Sequence, residues 1–512
     1  MSSESQISAF YALKNVLITG GTGFMGKVLI WKLLYSCPEL NTIYVLIRDK
    51  HGKNMGYRKE QFFSSPVFDN FKKENPKVLE KVELISGDVG QEGIGLSDKD
   101  RNMLINKVSF IFHGAAILKM NADLRTAVNV NTTGTIRMLD LAQEMGKLEA
   151  FVYISTAYCN CEKDTVEEKI YPSKHDPYDV INLTRWMEPK LLEMITPKLI
   201  YPSPNTYIYT KRLAETLLPN YSTKVPIIVA RPSIVVPSFK EPLPGWNDNF
   251  NGPMGLFAAG GKGVIHTTMV KIDAKTDVIP ADMVINNIIL LPWANSREQL
   301  YLLFLIEYID LRLNGISVYH ITQSSHEDMK WFDLIRQLEK SFEKYPYSSI
   351  LWYPFFAYKG DDVITYTIKC IFLHYLPAYI IDFILMLVGQ KTFLVRIQDK
   401  VRDGEKVLAY FTHNQWTFAY DKKLQIEKLL NNTDKQLFPI NTEVVDDVQS
   451  YLDNALLGTK LYLFNEKLEN IDAARKTVKI MYVVDKISLL LRYYVFWRII
   501  VFLFNTITNI CI

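Results

Sequence analysis

Cysteine is scarce in this 512-residue chain. There are five, Cys37, Cys159, Cys161, Cys370 and Cys511, an odd number without the paired spacing of a zinc site or a secreted disulfide scaffold. Cys159 and Cys161 stand too close in sequence for an ordinary bridge, so a reducing compartment and no bound metal are expected. An excess of either charge is also missing. Lys and Arg number 58 against 55 Asp and Glu, for a net charge of +3, which excludes a disordered charged tail and leaves no nucleic-acid footprint. The opening MSSESQISAFYALKNVLITG has no basic stretch followed by an apolar core, so catalysis is expected to face the cytosol. What remains is a long, apolar-rich chain with room for two to four domains.

KNVLITGGTGFMGKVLIWKLL reads as a strand, a glycine-rich turn and an apolar-periodic helix. Gly20 permits the tight turn, Gly23 lets backbone approach a pyrophosphate, and Gly26 permits close helix packing; Thr22, Phe24 and Met25 complete the loop around the phosphate. The next strand, TIYVLIRDK, ends at Arg48. A guanidinium suits a ribose 2′-phosphate and does not accept from a 2′-hydroxyl, so NADPH is expected over NADH, with Asp49 arguing against. KVELISGDVG brings Asp88 and Val89 to a strand end, where Asp88 either accepts from the adenine amino group or caps a turn. VSFIFHGAA ends another strand at His113, and Ala115 leaves room for the nucleotide. Pro232 and Ile234, near the end of PIIVARPSIVV, close the nucleotide-side set.

Strands and helices alternate through this half, which predicts right-handed crossovers and an α/β fold, a Rossmann-type doubly wound parallel sheet. Ligands bind at the carboxyl ends of such strands. Ser155 and Thr156 stand at one of them, in EAFVYISTAYCN. NTYIYTKRLAE follows, and in it only Tyr207 lies one helical turn ahead of Lys211. An ammonium beside a phenol favours the phenolate, so Lys211 is expected to lower the Tyr207 pKa for proton transfer; Tyr209 is left to helix packing. The order glycine turn, strand-end hydroxyl, Tyr207 and Lys211 is what turns a common spacing into a candidate reductase set.

That order resembles the extended short-chain dehydrogenase/reductases. GWNDNFNGPMGLFAAGGKGVIHTT at 245–268, DVIPADMVINNII at 277–289 and the region from YFTHNQWTFAYDKKLQIEKLL onward resemble, more narrowly, the fatty acyl-CoA reductases, over roughly residues 14–475. The resemblance implies NADPH-dependent reduction of a long-chain acyl-CoA, through an aldehyde, to a primary fatty alcohol. Tyr207, Lys211 and either Ser155 or Thr156 would carry it. Two positions depart from the family pattern: Met25 replaces a commoner leucine, and His266-Thr267-Thr268 stands where an arginine is more usual, with Lys262 as the expected compensation. A sterol or nucleotide-sugar reductase would keep the first motifs and lack the C-terminal ones. A catalytically silent lipid-binding protein would keep the fold.

The segmentation this implies is a reductase domain at 14–290, a connecting and substrate-side region at 291–360, a mostly helical C-terminal domain at 361–475 with an apolar hairpin at 368–389, and a membrane anchor at 487–512. His374, Pro377 and Asp382 argue against 368–389 as a plain span. Arg492 and Arg498, beside Tyr493, Tyr494 and Trp497, suit a membrane interface at the start of the terminal run. Membrane lipid is therefore an expected partner. By family analogy the address is the endoplasmic reticulum, with the peroxisome second.

Overall fold

Near-continuous runs of branched and aromatic residues form strands that, but for the edge strand Val82–Ser86, are buried on both faces, as a parallel sheet between helices requires. In the computed structural model, which describes residues 4–48, 55–306, 316–323, 329–440 and 447–511, these are β1 (Asn15–Thr19), β2 (Thr42–Ile47), β3 (Val82–Ser86), β4 (Phe110–His113), β5 (Ala150–Ile154), β6 (Ile227–Pro232) and β7 (Ser317–Ile321). They form one sheet in the order β7-β6-β5-β4-β1-β2-β3, every neighbouring pair parallel. The doubly wound fold read from the sequence is therefore present. Phe110, Ile111, Phe112 and Phe151 are fully out of water, each contributing about 1.5–3 kcal/mol of apolar burial. The order reverses between β1 and β4, and that crevice is where a nucleotide belongs.

Chain contacts divide the protein into two units. The first comprises Met1–Asp248, Lys275–Met329 and Asn414–Asp447; the second comprises Asn249–Ala274, Lys330–His413 and Val448–Ile512. This corrects the linear segmentation expected from the sequence. Residues 414–447, assigned there to the C-terminal domain, belong with the sheet for identifiable reasons. Thr417–Phe418 pair in parallel with Thr165–Val166, the ring of His320 on β7 donates from Nδ1 to the Ala419 carbonyl at 2.7 Å, and Asp434 accepts from the Ser5 hydroxyl at 2.6 Å. Residues 249–274 leave the reductase domain for the second unit. In the first unit the helices that matter for the site are α1 (Phe24–Ser36), α2 (Thr206–Leu217) and α3 (Ala281–Ile306).

The second unit is mainly helical, with one short parallel strand pair, Thr267–Met269 with Tyr358–Gly360. Trp331–Lys344 is amphipathic, burying Trp331, Leu334, Ile335, Leu338 and Phe342 at three- and four-residue spacing. The expected hairpin at 368–389 takes another form. Val363–Cys370 runs through a π-helical turn, Ile371–Tyr375, into Leu376–Leu387, and together they make one apolar leg, α4. The return leg is α5 (Leu394–His413). Pro377 does not break α4 because it sits at the start of the segment after the π turn, where a missing N–H is tolerated. Asp382 faces inward and accepts from the backbone N–H groups of Phe393, Leu394 and Val395, each at 3.0 Å, which caps α5. Among the described residues, α4 is the one helical run, Val363–Leu387, long and apolar enough to cross a membrane. The chain ends in a 41-residue helix, α6 (Ile471–Cys511).

Candidate active site

The glycine turn after β1 is built as its spacing predicts. Gly20 has φ 75°, and a Cβ there would lie 2.8 Å from the carbonyl carbon and oxygen of Gly114, so only glycine lets the turns after β1 and β4 meet. A Cβ on Gly26 would stand 2.4 Å from the Gly20 oxygen. Gly23 begins α1 without a side-chain cap, leaving the first helical N–H groups for an outside acceptor. Thr22 and Gly23 are exposed, while Phe24, Met25 and Gly26 are half-buried. This cradle, at the sheet's switch point, fits the pyrophosphate of a dinucleotide. Part of the 245–268 stretch closes on it. Trp246 stacks on Phe24 with ring centroids 5.1 Å apart, and Asp248 pairs with Lys27 at 2.8 Å.

Arg48 is exposed just beyond β2, and its carbonyl accepts from the Arg58 guanidinium at 2.5 Å. A second cation, not singled out from the sequence, thus stands at the same strand end. Asp49 lies outside the described residues. Asp88 uses Oδ1 to accept from the Gly90 N–H at 2.8 Å, as a turn cap does. The side chain of Val89 is a core residue and its carbonyl accepts from Arg137 at 2.8 Å, so its expected nucleotide contact is reduced to backbone N–H. The Ala115 N–H donates to the Thr19 hydroxyl at 3.1 Å, Pro232 ends β6 in the interior, and the Ile234 N–H donates to the Asp277 carbonyl at 3.2 Å.

Asn205 caps α2 by accepting from the Ile208 N–H at 2.9 Å, and this fixes which residues face the sheet. Lys211 is 2% exposed. Its ammonium donates to the Ile154 carbonyl, the last of β5, at 2.7 Å and lies 4.6 Å from the centre of the Tyr153 ring. Tyr207, one turn earlier, keeps part of its surface exposed. Tyr209 is a core residue whose hydroxyl meets His175 Nδ1 at 3.0 Å, in agreement with a packing role. Burial pushes Lys211 down to about 8, against the opposing pull of Cys159 and Glu215. The expected lowering of Tyr207 by Lys211 is not what the surroundings produce. Burial raises the phenol above its ordinary value, with Cys159 adding, so Tyr207 holds its proton.

Ser155 and Thr156 part ways at the end of β5. Ser155 donates its hydroxyl proton to the Glu215 carboxylate and lies 3.0 Å from Cys159 Sγ. Thr156 accepts from the Tyr158 N–H at 3.3 Å, which leaves its own proton available. Sequence reasoning passed over three supports. Glu215 and Arg231 are one; Asn131 is the second. On the π-helical turn Val128–Thr133, Asn131 accepts from the Ile117 N–H at 2.8 Å and donates to the Thr210 hydroxyl at 3.0 Å, tying the turn after β4 to α2. His113 is the third: its Nδ1 accepts from the Thr19 hydroxyl at 2.7 Å, and burial holds it near 3 and neutral. Only long-range hydrogen bonds mark these residues, and no local spacing does.

In the second unit the His266 ring is buried, with Nδ1 3.1 Å from the Phe355 carbonyl, and its N–H donates to His374 Nε2 at 2.8 Å. Lys262, expected to stand in for a missing arginine, is paired with Glu466 at 2.8 Å and lies 4.1 Å from the centre of the Phe464 ring. Among the described residues no group of three or more His, Cys, Asp or Glu is placed to hold a metal ion.

A doubly wound sheet with a glycine cradle at its switch point defines a dinucleotide-binding α/β protein. A family model described as male sterility protein matches residues 18–288, and a second with the same description matches 373–466. Fatty acyl-CoA reductase 1 of Rattus norvegicus is 37% identical, covering 92% of this chain and 88% of its own. Fatty acyl-CoA reductase 2 of Mus musculus is 34% identical over 97% and 94%. The chain belongs to the fatty acyl-CoA reductase family. Among solved structures, the terminal R domain of the myxalamid PKS-NRPS pathway has a TM-score of 0.53 at 16% identity, covering 89% of this chain and 91% of that one. The reductase domain of a non-ribosomal peptide synthetase from Mycobacterium tuberculosis has 0.52 at 15%, covering 90% and 96%. At such identities the likeness is one of fold.

Proposed function

We propose that this chain reduces long-chain fatty acyl-CoA to the primary alcohol with NADPH. One observation carries the reading: a lysine ammonium tied to the last carbonyl of β5, one helical turn from a protonated tyrosine, with Thr156 just after that strand accepting from its own turn and keeping its proton. Gly20, Gly23 and Gly26 would hold the pyrophosphate, and Arg48 with Arg58 the 2′-phosphate; the bound nicotinamide would supply one hydride to each of two reductions, a second NADPH replacing the spent cofactor between them. Thr156 and Tyr207 donate hydrogen bonds to the carbonyl oxygen as negative charge gathers there. At the thioester the carbonyl re-forms and sulfur leaves as the CoA thiolate, giving an aldehyde. At the aldehyde Tyr207 passes its proton to the alkoxide, and Lys211 balances the phenolate left behind until solvent reprotonates it. A phenol held above its ordinary range suits an acid that must not ionise early. Exposed apolar side chains on α4 and α6 support attachment to a membrane; the membrane proposed is the cytosolic face of the endoplasmic reticulum, with the peroxisome as the alternative address.

The test is an assay of membranes from cells expressing the chain, with NADPH or NADH and labelled acyl-CoAs of several lengths. Labelled alcohol with NADPH is expected. Tyr207→Phe should lose about 10²-fold or more in rate while still binding cofactor, and Arg48→Ala should raise the KM for NADPH far more than that for NADH. Neither aldehyde nor alcohol across the panel would sink the proposal.

A further inference from the structure

Glu215 lies one helical turn beyond Lys211 on α2, on the same side of the helix. It forms an ion pair with Arg231 on β6, and neither side chain has any exposed surface. Arg231 Nε donates to Glu215 Oε1 at 3.0 Å and Nη2 to Oε2; its remaining donors reach the carbonyls of Lys169, at 2.9 Å, and Glu167, at 3.3 Å, and His320 Nε2 at 3.3 Å. A wholly buried pair of this kind costs several kcal/mol of desolvation per ion, and apolar side chains of like volume often replace it without loss. Packing alone is therefore a weak reason for it here.

We infer that the Glu215–Arg231 pair is a positioning device for Lys211, keeping its ammonium charged and seated on the Ile154 carbonyl, and that Ser155 belongs to this device and not to the reacting groups. The inference rests on the proposed reading of Lys211 as half of a reductase pair. The groups around Lys211 are few. From α2 comes Glu215, with Tyr207 one turn before Lys211 on the same helix; from β5 comes the Tyr153 ring, from the turn after β5 Cys159, and from β4 His113, with Arg231 behind Glu215. Burial keeps the Cys159 thiol and the two phenols protonated and His113 neutral, so none of them carries charge near pH 7. Among these groups Glu215 is the anion, and Arg231 fixes its position while Ser155 donates to it. Lys211 sits near 8. Its charge is present below that value and is lost as pH rises through it.

The experiment is the pH profile of kcat/KM for the full chain in membranes. The wild type should fall on the alkaline side near pH 8. Glu215→Gln removes the anion and leaves the Arg231 cation, so that fall should move to lower pH by about one unit. The double variant Glu215→Gln/Arg231→Met, which removes both charges, should move it less, and Glu215→Asp should restore part of the wild-type profile. An alkaline limb fixed at the wild-type pH in both the single and double variants would overturn the inference. So would a wild type that shows no fall by pH 9.5, and that reading survives even if neither variant folds. Lys211→Met distinguishes the two levels: if it keeps full alcohol formation, the reductase pair itself is wrong.

Discussion

Ser155 and Thr156 are adjacent, both bear hydroxyls, and both are nearly buried, yet they keep opposite hydrogen-bond accounts. Ser155 spends its proton on a carboxylate sixty positions along the chain; Thr156 spends only a lone pair on its own turn. Thr156→Val should therefore cost about 10²-fold in kcat, the scale of a lost oxyanion donor, whereas Ser155→Ala should cost less than about tenfold. Steady-state kinetics on acyl-CoA decide it, and the reverse order would return Ser155 to the reacting set. That Tyr207 and Lys211 stand one turn apart on a single helix was legible in the sequence because this geometry is local, a helical turn with a cap before it. The different hydrogen bonding of the two hydroxyls was not, because it depends on Glu215 and Arg231, which no short motif joins to the strand. The direction of the Tyr207 shift was illegible for a similar reason: an ammonium four residues away can be counted from sequence, but desolvation cannot.

At the scale of elements, the sheet and the glycine turn could be read almost directly, since buried parallel strands write themselves as apolar runs and the turn needs glycine at set places. A hairpin was expected at 368–389, but not that this run forms only its first leg, with Leu394–His413 as the return. An aspartate in an apolar run looked like a penalty in lipid, and it proves to be the internal cap of the returning helix, with its acceptors filled by backbone from 11 to 13 residues further on. Asp382→Ala should loosen that return. The turn between the legs carries an exposed Lys391, so limited trypsin digestion should cleave there several-fold faster in the variant than in the wild type. Equal rates would mean that packing of α4 on α5 holds the turn without the cap.

For the whole molecule, α6 runs 41 residues, about 60 Å at 1.5 Å per residue. Asp485, buried and accepting from the Trp352 indole at 2.8 Å, marks its packed part, and beyond it Ile487, Leu490, Leu491 and Ile499 are exposed. The full chain should float with phospholipid vesicles in a density gradient. Leu490→Asp/Ile499→Asp, at about 2.5–3.5 kcal/mol per charge near the middle of a membrane helix, should leave it at the bottom; flotation unchanged by the pair would assign attachment elsewhere. Domain limits were the least legible feature, because the chain crosses between its two units five times and only packing shows it. That interleaving bears on synthesis. Residues 5–7 near the start are bonded to Asp434, so this contact cannot form until more than four-fifths of the chain has been made. Any contiguous fragment of the gene that encodes one unit whole therefore carries segments of the other with it.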